Sequence, residues 1–215
     1  MYNLPYHKDK DAAAVLAFIK AHPFVVLCGA DANGFPVATQ IPVLITASGE
    51  QLLLRGHMMR HTDHHKAFTD NPKVLALFNG PHAYVSASWY SNPKQGSTWN
   101  YMSAQAHGEL NFLDDTRLMA ILEETTAHFE RNPSSPALYN ELPSSYVQPL
   151  LKAIVAFEIV VTKLEHIFKL SQDRDAASYE NIISRLSQQG DDAKKIAAEM
   201  RHRKDIVFPT QNNKV

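Results

Sequence analysis

Hydrophobic and polar positions follow two periods along this chain, and the change from one to the other marks out its elements. From Asp9 to Ala21, Ala12, Val15, Leu16 and Ile19 fall at i, i+3, i+4 and i+7, one face of a helix that Pro23 ends. Phe24 to Cys28 is a short apolar run of strand type. Asp31-Ala32-Asn33-Gly34 predicts a turn, because Asn and Gly tolerate positive φ. The return strand spans Val37 to Thr46, with Pro42 inside it as the mark of an edge or a bulge. Ser48-Gly49-Glu50 predicts a second turn, and Gln51 to Gly56 a third strand.

The stretch from Leu54 to Tyr90 organises the rest. An apolar run ends at Arg55-Gly56 and gives way to a cationic segment: His57, Arg60, His61, His64, His65 and Lys66. A helix over Thr62–Phe68 is stopped by Asn71-Pro72. A second apolar run, Val74 to Phe78, is closed by Gly80-Pro81, and a third segment, Ala83 to Tyr90, brings Tyr84, Trp89 and Tyr90. Ser91 to Ser97 reads as an exposed, mobile polar loop, and Thr98 to Phe112 as a further strand. Asp114 is placed to cap a helix whose stripe is Leu118, Ile121, Leu122, Thr125 and Phe129. Ser134 to Pro149, rich in Pro and Ser, reads as irregular, and the β-branched run from Ala153 to Lys169 as the last core strand. Two amphipathic stripes follow, Tyr179–Ile182–Ile183–Leu186, with Gly190 as its stop, and Ala193–Ile196–Ala197–Met200. Six or seven strands with short turns, one helix after the third strand and another before the last, predict a mainly β fold: a small antiparallel barrel.

Composition narrows the picture without changing it. In 215 residues, 45% hydrophobic and 20% charged, there is material for one real core and an appendage. A net charge of −1 argues against a nucleic-acid-coating protein, though it allows a local basic patch. No apolar run approaches a membrane span, and no secretory signal opens the chain. The single Cys28 sits among apolar neighbours and reads as a buried strand residue; a cytoplasmic setting is expected.

Candidate chemistry gathers in the central stretch. Cations at a helix start, with Thr62 and Asp63 opening it, suit a phosphate as well as they suit a solvated helix face. His61 and His65 are spaced i, i+4, compatible with two metal-facing imidazoles, but no HExxH motif accompanies them, and surface or core histidines are the favoured reading, with no metal expected. Trp89-Tyr90 and Trp99-Asn100-Tyr101 flank the polar loop and could close over a planar ligand or a second subunit. No catalytic residue is identifiable.

GHM followed by an arginine, FNGPHAYVSASWY, STWNY with a downstream His107-Gly108, and KLSQDR at Lys169 to Arg174 resemble the PaiB family over nearly the whole chain, from Tyr2-Pro5 to the tail. These are FMN-binding proteins described as negative transcriptional regulators. The resemblance implies a split β-barrel related to pyridoxine phosphate oxidases, with C-terminal helices, and a homodimer with flavin at the subunit interface. Residues 1–169 would form the flavin-binding domain and 170–215 a helical appendage packed on it. Carried over by position, Thr39 and Gln40 border the cofactor, His57, Met58 and Arg60 lie near the phosphate, Lys66 adds a basic group on the following helix, and Ser86 and Trp99 belong to the motif segments. The chain departs from the pattern at Thr62-Asp63-His64-His65, where relatives carry Asn-Pro followed by Trp, and at Gln40, where relatives carry His. The FMN-binding regulator is the leading expectation. An FMN-dependent oxidoreductase and a haem-binding split barrel are the alternatives, and direct DNA binding by the tail helices ranks below them.

Overall fold

The computed structural model describes residues 4–49 and 51–209; Glu50 of the second expected turn, Tyr2 and Asn3 of the N-terminal motif, and the last six residues of the expected appendage lie outside them. By internal packing the chain forms two units. One is Ile19–Phe78 with Gln105–Leu164, and the other is Met1–Phe18, Asn79–Ala104 and Glu165–Val215.

The first unit contains part of every strand. The sheet order is β2-β1-β5-β6-β7-β4-β3, with β1 Phe24–Ala30, β2 Pro36–Pro42, β3 Leu44–Ser48, β4 Gln51–Met59, β5 Lys73–Val85, β6 Thr98–Phe112 and β7 Ile154–Lys169. The two edges, β2 and β3, are consecutive in the chain, with only Val43 between them. A sheet whose opposite edges are joined by one residue has to curl until they meet, which makes the expected barrel, split at that corner. The single return strand expected over Val37–Thr46 is therefore two strands. Pro42 is the reason: it closes β2 on an edge, where no ladder needs its missing N–H, and the chain crosses to the other edge after it. Gly56 makes room for the corner, since a Cβ there would stand 3.0 Å from the Pro42 carbonyl and 2.9 Å from Phe157.

A second difference lies in β5. Gly80-Pro81 does not close the strand, which runs unbroken from Lys73 to Val85. Pairing with β1 stops at Val26↔Leu77, so Pro81 lies beyond the last β1 partner and costs no hydrogen bond there. Gly80 is needed for a different purpose: a Cβ would collide with the Phe18 ring at 2.6 Å.

The helix expected first is α1 Ala12–Ala21, and the helices within this unit close its core. α2 Asp63–Asp70 starts at Thr62, whose hydroxyl accepts from the His65 N–H, and ends at Asn71. α3 Asp115–Glu130 is capped by Asp114, which accepts from Arg117 N–H, as expected. The segment read as irregular holds α4 Ser144–Ala153, with Pro149 inside it. Leu118 and Ile121 of α3 pack with Leu44 and Ala156, and Leu151 of α4 lies against the same cluster. The apolar stripe of α4 outweighs the propensity signal of one proline.

The other unit is built on the tail. α5 Ala176–Leu186 and α6 Asp191–His202 bury both expected stripes, with Tyr179, Ile182, Leu186, Ile196, Ala197 and Met200 at 0% exposure. Gly190 is the N-cap of α6 rather than the end of α5. The polar loop is exposed as expected, yet it is pinned: Ser91 donates through its N–H to Ser178 Oγ at 2.9 Å and through Oγ to Asp175 at 3.0 Å. The Ser178 hydroxyl, donating to Asp175 at 2.6 Å, the Ser178 N–H and, less strongly, the Ser91 hydroxyl hold the Asp175 carboxyl down at about 2 against the usual 3.8. Because the folded value is the lower one, the contribution is present above about pH 4 and disappears as the pH falls towards 2. Asp175→Asn is expected to remove that segment of the acid unfolding curve, followed by circular dichroism, while leaving the rest unchanged.

Candidate flavin-binding site

Register carries β4 past β7 with Gly56↔Phe157, His57↔Ala156, Met58↔Val155 and Met59↔Ile154 as its last pairs. The chain then turns, with Arg60 N–H donating to Ala153 O at 2.8 Å, and enters α2 two residues later. This end of β4, the end of β2 and the start of α2 enclose a cavity of about 320 Å³ lined by Thr39, Gln40, Ile41, His57, Met58, Met59, Thr62, His64 and Ile154. Four residues named from the sequence, Thr39, Gln40, His57 and Met58, are brought together here. Thr62 and His64 were named only in the cationic segment and its departure from the family pattern, and Ile41, Met59 and Ile154 were not named. Thr62 was legible as a helix start; Ile154 was not, because only the β4–β7 register places it.

The cavity has an apolar body, from Ile41, Met58 and Ile154, and a polar border. His57 is pushed below its ordinary pKa by burial and is a neutral imidazole at pH 7. The His64 ring is held by Thr62 Oγ at 3.0 Å and Asp63 at 3.1 Å. A planar heterocycle with an apolar edge and an edge of donors and acceptors suits such a lining, and the volume is within the range of small-molecule sites.

The other named residues lie elsewhere. The Arg60 Nε donates to Ile154 O at 2.8 Å, and Nη2 stands 3.5 Å from Asp115. Arg60 lines a second cavity with Asp115, Met119, Gln148, Leu151 and Lys152. Lys66 is exposed on α2. His61 precedes α2 and has φ +66°, so it does not share a helix face with His65 as the i, i+4 spacing suggested. The two rings meet edge to face at 6.2 Å, and His65 lies 4.8 Å from Phe112.

Ser86 and Trp99 belong to the other unit. Ser86 caps the 3-10 turn Ala87–Trp89 by accepting from Ser88 N–H. Trp99, 52% exposed, packs with its ring 5.9 Å from both His82, tilted, and Tyr84, edge to face, and lines a groove with Tyr101 and Met102. Much of the remaining motif sequence is structural. Asn100 is fully buried and bonds Ser171 Oγ at 3.0 Å, Thr98 receives Lys169 at 2.5 Å, and the Arg174 guanidinium lies 4.5 Å over the Tyr90 ring.

The family model described as "Putative FMN-binding domain" matches residues 1–163. The chain belongs to this family. The PaiB resemblance also holds: the chain is 30% identical over 198 residues to the protease synthase and sporulation protein PAI 2 of Bacillus subtilis strain 168, covering 92% of this chain and 95% of that protein. Among solved structures it is similar to the FAD and heme binding protein of Mycobacterium smegmatis, with a TM-score of 0.57 and 18% identity over 82% of this chain and 78% of that one. It is likewise similar to the flavocytochrome Anf3 of Azotobacter vinelandii, with a TM-score of 0.52 and 15% identity over 78% of this chain and 72% of the other. Both likenesses speak for the fold of this FMN-binding-domain protein. Among its described residues, no helix is long and apolar enough to cross a membrane.

Proposed function

We propose that this protein binds FMN as a cytoplasmic homodimer and acts as a flavin-bearing regulator of the PaiB type. The observation that carries the reading is the cavity at the end of β4, which unites Thr39, Gln40, His57 and Met58 around a neutral imidazole and an apolar floor. Thr39, Gln40, His57 and Met58 would touch the ring and ribityl chain, with Arg60 and Lys66 as the cations serving the phosphate. Ser86 and Trp99 remain members of the cofactor set by resemblance, and the exposed Trp99 face suits contact with a second copy. FMN, when bound, supplies reversible redox chemistry; the chain's own residues bind and orient it. Residues 1–169 are the proposed flavin domain and 170–215 its helical appendage.

Regulation through direct operator contact by the tail fits poorly. The net charge of −1 leaves no excess of cations, and Arg203, 14% exposed, is held by Asp9 at 2.6 Å and Glu199 at 2.5 Å. Cations engaged this way offer little to a phosphate backbone.

One preparation tests both the cofactor and the assembly. The purified protein is expected to show the two long-wavelength bands of oxidised flavin and to run as a dimer by light scattering across a dilution series. Haem is the second reading, favoured by His57, since a neutral imidazole is a competent iron ligand. A Soret band without flavin absorption would replace the first reading with it. A colourless monomer that takes up neither added FMN nor haem would sink both.

A further inference from the structure

Deepening the flavin reading, on which this rests, we infer that Gln148 and Lys152 of α4 join Arg60 to form the seat of the FMN phosphate. Residues at and just beyond the last β4–β7 pair line two cavities. Met59 and Ile154, partners in the register, both line the first cavity. The next residue along β4, Arg60, lines the second, and so do Gln148, Leu151 and Lys152, which precede Ile154 on the other chain segment. The second cavity is about 530 Å³. The lining changes character at the 59–154 pair: on one side are Ile41, Met58 and His57, on the other two cations, a carboxamide and the Asp115 carboxylate over the apolar Met119 and Leu151. A ligand with an aromatic ring at one end and a phosphate at the other matches that change.

Arg60 is oriented for the task. Its Nε is fixed on the Ile154 carbonyl at 2.8 Å, which sets the plane of the guanidinium and leaves its terminal N–H groups for a ligand. Among the described residues only Asp115 approaches them, at 3.5 Å, and that side chain is 80% exposed. So loose and solvated a pair contributes little, and a phosphate with two negative charges displaces it readily. Lys152 then provides a second charge and Gln148 two N–H donors. Asp115, left beside the phosphate, opposes it. A site of this kind prefers FMN to riboflavin, which has the same ring and ribityl chain but no phosphate.

Quenching of flavin fluorescence by the full-length protein measures both ligands. Lys152→Ala is expected to weaken FMN roughly tenfold and to leave riboflavin within about twofold. Gln148→Ala should act in the same direction by a smaller factor. Asp115→Asn is expected to tighten FMN a few-fold, more at low salt than at high salt, with riboflavin unchanged. A gain of affinity cannot come from misfolding, so this variant keeps the test sound if the alanine variants lose stability. Equal losses for FMN and riboflavin in Lys152→Ala, no loss for either, or an Asp115→Asn protein that binds FMN no better would overturn the inference. Failure of the unsubstituted protein to bind either flavin would refute the flavin reading and this inference with it, whereas FMN binding that ignores Lys152 and Asp115 would refute only the latter.

Discussion

Arg60→Ala is expected to cost the protein roughly tenfold to a hundredfold in FMN affinity while riboflavin binding changes little. The size follows from the net loss of one charge-assisted hydrogen bond, worth on the order of 1.5–3 kcal/mol. The selectivity follows from position. Arg60 lies outside the cavity lined by His57 and Met58 and, with its Nε held on Ile154 O, lines the second one. Arg60→Lys should recover only part of the loss, because an ammonium keeps the charge but not the planar fork. Lys66→Ala should show the same preference on a smaller scale, since the Lys66 side chain is exposed and its ammonium stays hydrated. Isothermal titration with both ligands checks the set. Equal losses for FMN and riboflavin in Arg60→Ala would place the phosphate elsewhere.

The second large effect concerns the barrel. Gly108→Ala puts a Cβ 2.4 Å from the Val160 carbonyl oxygen and 2.8 Å from Ile159 Cγ2. Both atoms belong to β7, and one of them is backbone in the interior of the sheet. No rotamer change relieves that contact, so β6 and β7 must separate locally. Overpacking of a core costs about 1–3 kcal/mol and sometimes more, and a clash with fixed backbone belongs at the upper end. With a chain of this size the melting temperature should fall by about 6–12 °C for 3 kcal/mol. Gly96→Ala is the control. Nothing lies within 4 Å of its added methyl, and its melting temperature should be close to that of the unsubstituted protein. Both melts need the same flavin content, because bound ligand raises apparent stability by mass action. A Gly108→Ala protein that melts with the control would mean the sheet yields more easily than its packing implies.

The sequence by itself determined the elements whose signals are local. Thr62 and Asp114 were legible as helix starts because a cap depends on one side chain and an N–H three residues on. The stripes of α5 and α6 were legible because period 3.6 writes a buried face directly into the chain. The motifs pointed to the split barrel and to four of the residues that line the candidate cavity, Thr39, Gln40, His57 and Met58.

What depended on partners distant in sequence was decided only by the tertiary structure. Pro42 was visible as an edge residue, but that its two flanking segments lie on opposite edges of the sheet follows from barrel closure. Gly80-Pro81 looked like a stop; the absence of a β1 partner beyond Leu77 and the Phe18 ring over Gly80 make it a strand interior. Pro149 hid α4 from a reading by propensity, because the burial that holds α4 in place comes from Leu44, α3 and β7. Ile154, Gln148 and Lys152 carry no motif of their own. They stand beside Arg60 because the antiparallel register pairs Met59 with Ile154, and a register is a property of two strands rather than of either one.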